Sequence, residues 1–320
     1  MTQQDGKSTT LGVAVIAHGE DEIRVVPRRM VGRWIGAAVV SIAAAWVIYQ
    51  LVTNPAYDWG TVWHYFLDGT VLQGLWMTLL LTALTMVAGA LLGVLLAIMR
   101  LSGNPVMTVA STTFIWFFRG TPALVQLIFW FNLATLFPQI SLGIPFGGPA
   151  FWSASTNALV TPFIAAMLGL GLNEGAYMAE IVRGGILSVD RGQDDAVRAL
   201  GLRPWQGMRR IVLPQAMRSI IPATGNQTIG MLKYTSLASI VALHELLYSV
   251  QTIYNVTFQT IPLLIVASVW YLILTTVLSL AQVKVEQHFS RGERGSASDT
   301  RGRWGRLIHA VVTRGSVRHA

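Results

Sequence analysis

The chain has 320 residues, of which 53% are hydrophobic and only 12% charged, with a mean hydropathy of +0.53 and a formal net charge of +8. Soluble domains carry about 25% charged residues, so this balance excludes an ordinary soluble fold and points to a membrane protein. The absence of cysteine excludes disulfides and thiolate metal sites.

Residues 1–33 form a polar tail that mixes Asp5, Glu20, Asp21 and Glu22 with basic residues. A cleavable signal peptide would place its apolar core nearer the start, so none is expected. The first span is predicted over 35–52, bounded by Arg33 and by Asn54-Pro55. The second is predicted over 71–99 and ends at Arg100. Residues 107–118 enter the membrane obliquely or lie along its inner face, and a third span follows at 121–137. The stretch from Pro138 to Thr156 holds Pro145, Pro149 and Gly147-Gly148, and reads as an external loop. A fourth span covers 158–182 and leads into a polar loop, 183–215. The fifth occupies 217–242 and is expected to be interrupted at Pro222, Gly225, Gly230 and Lys233. The segment 244–262 reads as a second external loop, and the sixth span runs over 262–283.

No charged residue lies between Asp68 and Arg100, between Arg119 and Glu174, or between Glu245 and Lys284. Each run exceeds the roughly 20 residues that a helix needs to cross a bilayer. Of the 23 Lys and Arg residues, five lie in 1–33, seven in 183–218 and eight in 284–320, and none in 53–70, 138–157 or 244–262. That is the asymmetry of the positive-inside rule. Six spans with both termini in the cytoplasm satisfy every basic segment at once, and the positive charge is accounted for without nucleic acid.

Between Gly192 and Pro214 the sequence reads GQDDAVRALGLRPWQGMRRIVLP. Asp194 and Asp195 fall in the first turn of a short helix, where carboxylates interact favourably with the helix dipole. Gly201 can take the left-handed conformation that ends such a helix, Pro204 suits the first turn of the next, and Pro214 should stop it. Two short helices at an angle, projecting from the membrane face, are expected.

Ionisable groups within the spans stand out, because they are costly in lipid and by default functional. Glu174 and Lys233 both lie inside predicted spans, near Asn173, Tyr177, Asn226, Gln227 and Thr235. Glu174 could accept an amino group and Lys233 approach a carboxylate; alternatively the two satisfy each other. Arg119 either snorkels to inner-face phosphates, caps a helix end or gates a pathway. Glu180 and Arg183 share a helical face, as a local salt bridge or as part of a gate. Gly89 and Gly93 form a small-xxx-small pair that hints at dimerisation. Trp59, Trp63 and Trp152 read as interfacial anchors. No GxxxxGK[ST], HExxH, GxSxG or Cys/His cluster occurs, so neither ATP hydrolysis nor membrane-enzyme or metal chemistry is expected of this chain.

The 192–214 segment resembles the cytoplasmic coupling loop of permease subunits of ATP-binding-cassette importers. That loop has a Glu-Ala-Ala triplet, a Gly after three further residues, then nine residues, Ile, any residue, Leu and Pro. Here Asp195-Ala196-Val197 replaces the triplet, and Gly201, Ile211, Leu213 and Pro214 fall at the remaining positions. Further motifs are similar to those of polar amino acid permeases: Gly74-Leu75-Trp76-Met77-Thr78-Leu79, Phe118-Arg119-Gly120-Thr121-Pro122 with Gln126, Ala176 to Gly185, and Lys233-Tyr234-Thr235-Ser236-Leu237. Many members have Asp or Asn where Tyr234 stands.

The resemblance implies an all-α integral membrane protein of about six helices, with a five-helix permease core over 69–290 and a coupling loop at 186–215. Residues 34–68 would then be an added N-terminal helix and external loop, and 1–33 and 291–320 cytoplasmic tails. It further implies a plasma (inner) membrane importer for polar amino acids working by alternating access. Its partners would be a pair of ATPase subunits that bind ATP and Mg, an extracytoplasmic solute-binding protein, and a second permease subunit, identical or not. Gly192, Asp195, Ala196, Gly201, Ile211, Leu213 and Pro214 would face the ATPase. A permease for an opine or another amino acid derivative, and a secondary transporter, are the competing expectations. A secondary transporter would need an internal repeat and its own coupling-ion site, and neither is visible in the sequence.

Overall fold

The computed structural model describes residues 31–143 and 150–289. The expected tails, apart from 31–33, and the Pro145–Pro149 turn lie outside the described residues. The contacts divide the chain into Met1–Pro55 and Ala56–Ala320. The first unit is helix α1 (Val31–Thr53), apolar along its length and burying none of its described side chains. At about 1.5 Å per residue it is long enough to cross a bilayer.

The second unit begins with α2 (Trp59–Phe66), α3 (Gly69–Leu101), α4 (Pro105–Gly120), α5 (Ala123–Phe131) and the turn α6 (Leu133–Leu136). Asp58 caps α2, accepting from the Thr61 hydroxyl at 2.6 Å and amide at 3.2 Å, and these bonds hold its carboxyl below the usual carboxylate range. Asp68 caps α3 through Thr70 N at 2.8 Å, and Asn104 caps α4 ahead of Pro105. The segment read as an external loop is an antiparallel hairpin, β1 (Gln139–Gly143) with β2 (Ala150–Ser155), paired Gln139 to Ser155. There follow α7 (Thr156–Leu159), α8 (Pro162–Leu187), α9 (Gly192–Ala199), α10 (Pro204–Gly207), a π-helical turn Met208–Val212, α11 (Leu213–Tyr234), a 3-10 segment Thr235–Val241, α12 (Leu246–Thr257) and α13 (Thr260–Phe289).

Among the described residues three helices, α1, α3 and α13, are long and apolar enough to cross a membrane, and up to five spans result if each of two bent pairs is one span. Helix α8 carries Asn173, Glu174, Glu180 and Arg183, yet its 26 residues reach about 39 Å.

Helices α3 and α8 form the centre of the unit, and glycine lets them approach. A Cβ on Gly93 would lie 2.4 Å from Met178 Cβ, and one on Gly175 2.6 Å from Leu92 Cδ2. Gly89 and Gly93 therefore serve a contact inside the chain and not the dimer contact their spacing suggested. Leu81, Leu127, Leu170 and Met231 fill the core where α3, α5, α8 and α11 meet. A second core of Val62, Val71, Leu246, Val250, Leu263 and Val266 joins α2, α3, α12 and α13.

Two expectations fail here. The fifth span is not interrupted at Pro222, Gly225 or Gly230: α11 runs through all three and changes to 3-10 only after Tyr234. Residues 246–257 are not an external loop but the helix α12, with Ser249 buried against Gly74. The reason is Glu245. Its fully buried carboxylate accepts from Leu247 N (3.0 Å), Tyr248 N (2.8 Å) and Tyr271 OH (2.9 Å), and Thr78 Oγ1 lies 3.5 Å away while accepting from Leu246 N. Four donors surround one carboxylate and start a helix inside the bundle.

Candidate functional site: a cavity at the broken helix

Helix α4 ends at Gly120 and α5 begins at Ala123, turned by 99°. Pro122 has no N–H to continue the ladder, so the last carbonyls of α4 need other donors. Thr121 Oγ1 bonds Phe117 O at 2.9 Å. Gln126 Nε2 reaches back to Phe118 O (2.9 Å), Thr121 O (3.1 Å) and Thr121 Oγ1 (2.7 Å). Asn173 Nδ2, from α8, adds a second donor to Phe118 O at 2.7 Å. The FRGTP segment and its distant Gln thus make a helix break that water need not solvate.

A cavity of about 350 Å³ opens at this break. Arg119, Thr121, Asn173, Glu174, Tyr177, Gln227 and Tyr234 are its polar wall, with Leu170 and Met231 apolar. Glu174 is fully buried, with Gly89 of α3 behind it. Its Oε2 accepts from Gln227 Nε2 at 2.9 Å, and its Oε1 has no hydrogen-bond partner among the described residues. A buried carboxylate oxygen without a donor is unfavourable and calls for a ligand, a proton or a water.

Of the expected pathway residues, Asn173, Glu174, Tyr177 and Gln227 line this one cavity. Asn226, Lys233 and Thr235 do not. Asn226 accepts from Gln282 of α13 at 3.0 Å. Lys233 is exposed in a separate groove with Ser236, Ser268 and Tyr271. Thr235 is buried and bonds Leu232 O at 2.7 Å. The pairing of Glu174 with Lys233 is absent, and Gln227 holds the carboxylate instead.

Arg119 stands at the mouth, its guanidinium carbon 5.1 Å from the centre of the Tyr177 ring, within cation–π range. Its Nη1 lies 3.7 Å from Glu180 Oε1. Glu180 also takes Arg183, through Nε at 2.9 Å and Nη2 at 2.8 Å on Oε2, and Arg100 on Oε1. The local Glu180–Arg183 bridge read from spacing is present, but Arg100 from α3 enlarges it. Glu245 and Tyr271, missed in the sequence, form the other buried polar cluster. Its signal was an acid in an otherwise uncharged stretch.

The loop before α11 carries the expected punctuation. Gly201 has φ +63, with Gly201 N bonded to Arg198 O (3.0 Å) and Leu202 N to Val197 O (3.1 Å). This Schellman closure ends α9. Gly192 N bonds Asp190 Oδ1 at 2.7 Å, ahead of exposed Asp195 and Ala196. Buried Val197 packs on Gly207, where a Cβ would meet it at 2.5 Å, so α9 and α10 are held together. Leu200 and Trp205 are exposed, at 70% and 69%. Ile211 is half-buried, and Leu213 and Pro214 are exposed. Pro214 does not stop a helix: it sits in the first turn of α11, and a π turn carries the chain from α10 into it. Among the described residues no group of three His, Asp or Glu side chains could hold a metal ion.

Residues 89–291 match the family model described as the binding-protein-dependent transport system inner membrane component. The chain belongs to this family. It is 44% identical over 273 residues to the arginine transport system permease protein ArgU of Corynebacterium glutamicum, covering 84% of each chain. It is 32% identical over 231 residues to the glutamine transport system permease protein GlnP of Escherichia coli, covering 72% of this chain and 97% of that one. A chain in the crystal structure of an amino acid ABC transporter with histidines superposes with a TM-score of 0.58 at 33% identity, covering 68% of this chain and 94% of that one. The chain is therefore a mostly helical, membrane-spanning transport component, and the broken helix and its cavity lie within the matched region.

Proposed function

We propose that the chain is the permease subunit of an ATP-driven importer for polar amino acids. The observation that carries this reading is Glu174: a buried carboxylate on a cavity wall, with one oxygen bonded to Gln227 and the other unpaired. A zwitterionic solute offers an ammonium to Oε1, and a basic one a second cation. Its carboxylate meets Arg119 on the same wall, the role that sequence reading offered to Lys233. The likeness to permeases named for arginine and glutamine supports the same substrate class.

ATP and Mg belong to a separate pair of ATPase subunits. The α9–α10 knob, with Asp195, Ala196, Leu200 and Trp205 exposed, is the surface offered to them. Closure of that pair draws the knobs together and opens the pathway outward, and hydrolysis returns it inward. A solute-binding protein outside delivers the amino acid, and a second permease subunit, identical or not, completes the pathway. Both termini lie in the cytoplasm on this reading, which the distribution of Lys and Arg supports.

The test is uptake into proteoliposomes by the assembled complex. Glu174→Gln should raise the half-saturating amino acid concentration or change the preferred amino acid, with basal ATPase activity intact. Unchanged affinity and preference would remove Glu174 from the site, and uptake without ATP would remove the importer reading.

A further inference from the structure

Around Glu180 three guanidiniums meet one carboxylate. Arg183 and Arg100 share its two oxygens, while Arg119 comes no closer than 3.7 Å and makes no hydrogen bond among the described residues. Helices α3 and α4, which supply Arg100 and Arg119, contain no acidic residue at all. The cluster therefore keeps an excess of positive charge, and Arg119 keeps its fork of N–H donors. A cavity of about 350 Å³ opens over Arg100 and Arg119, bounded also by Thr112, Trp116, Tyr177 and Glu180 itself, so two guanidiniums face one carboxylate there.

Its place in the fold suggests what fills it. Helix α5 packs on α8 through Leu127 against Gly169, and α4 leaves α5 at 99°. The outer side of α4 exposes Val106, Val109, Trp116 and Phe117, at 75%, 64%, 72% and 49%. An apolar helix face with Trp beside Arg is the composition of a helix lying at a membrane surface. Arg100 stands in the last turn of α3, just before the short turn into α4.

We propose that this pocket holds the phosphate group of an anionic phospholipid, drawn from the leaflet on the side of the α9–α10 loop. The planar guanidiniums of Arg100 and Arg119 suit a phosphate's oxygens, Trp116 sits at the headgroup level, and the exposed face of α4 takes an acyl chain. Because Arg119 and Tyr177 also wall the Glu174 cavity, a seated phosphate fixes the Arg119 guanidinium at the partition between the two spaces. Lipid charge then bears on the pathway through Arg119, the side chain that the proposed function offers to the solute's carboxylate. The proposal rests on the membrane placement of the family and not on the identity of the solute.

The experiment is native mass spectrometry of the complete transporter, with its ATPase and second permease subunit, released from nanodiscs of mixed phosphatidylglycerol and phosphatidylcholine. Phosphatidylglycerol should be retained at least tenfold over phosphatidylcholine. Arg100→Gln removes one charge-assisted contact and should lower that preference by roughly tenfold. Glu180→Gln, by removing the internal counter-ion, should raise it, the opposite of what a purely structural cluster would give. Equal retention of the two lipids by the unmodified complex, which needs no variant to fold, overturns the proposal. So does a preference that Arg100→Gln leaves unchanged. If inorganic phosphate abolishes the preference at once, the pocket takes a free anion and the lipid assignment is wrong. Failure of amino acid uptake would refute the substrate reading and leave this measurement untouched.

Discussion

Replacing Gly89 with alanine adds one methyl group to the contact that backs Glu174. A Cβ at this position would lie 2.5 Å from Glu174 Cγ, 2.8 Å from its Cβ and 3.3 Å from its backbone carbonyl carbon. The first two contacts demand movement of the side chain, and the third presses on the backbone of α8 itself. Two effects oppose each other. Alanine is favoured over glycine within a helix by about 0.8–1.0 kcal/mol. Forcing a methyl into a packed contact costs about 1–3 kcal/mol. Overpacking wins where backbone is in the way, leaving a net loss on the order of 1 kcal/mol. Gly171 on α8 is the matched control, since a Cβ there meets nothing within 4 Å and only the helix-propensity gain remains. Thermal unfolding of the purified complex and concentration-dependent uptake measure both consequences. Gly89→Ala should unfold at lower temperature and need a several-fold higher amino acid concentration, because the carboxylate moves relative to Gln227. Gly171→Ala should unfold at the same or higher temperature with unchanged uptake. Wild-type stability and uptake in Gly89→Ala would refute the reasoning, for the helices would then part freely and Gly89 would not set the place of Glu174.

Gln126→Leu keeps the volume of the side chain but removes the donors to Phe118 O and Thr121, and should cost about 1–3 kcal/mol in thermal stability. Uptake should fall with it; an unchanged unfolding temperature would show that the break needs no cap. Gly201→Val places a β-branched residue at φ +63, which costs at least about 1–2 kcal/mol in the left-handed region. The ATPase should co-purify in reduced yield while membrane insertion persists, and normal co-purification would dissociate the loop from coupling. Glu245→Gln turns an acceptor-only group that faces four donors into an amide, and should destabilise the complex in detergent by about 2 kcal/mol. Equal stability would mean that α12 is held by its apolar face alone.

The turn of the α9–α10 loop was legible in the sequence because its chemistry is local. A glycine that must be left-handed and a proline in a first helical turn act within a few residues. Helix α12 was not legible, for the opposite reason. Its 12 residues are too few to read as a span and include Gln251 and Asn255, and the Glu245 before it looks like a membrane boundary. What buries it is Thr78 and Gly74, far away in the chain. Gly89 and Gly93 announce that some helix approaches closely, but the spacing cannot name it.

The pairing of Glu174 with Lys233 fails in a more instructive way. Hydropathy gives the depth of a residue in the membrane but not its direction around the helix. Gln227 and Lys233 are six residues apart on α11, and at 3.6 residues per turn six steps rotate the side chain by roughly 240°. The residue that reaches Glu174 and the one that faces away are thus fixed by the same helix. The motif around Thr121 teaches the complement. Its Gln126, and Asn173 opposite, are spent on the carbonyls of a broken helix, so their polarity in the membrane is explained by the backbone. Glu180 is explained in the same way by Arg100 and Arg183, and Glu245 by its four donors. Taking away each acid that the fold already satisfies leaves Glu174, whose second oxygen no described residue satisfies. On the function proposed above, that oxygen is where the cavity would take the ammonium or cation of the solute, with a proton or a water as its resting partner.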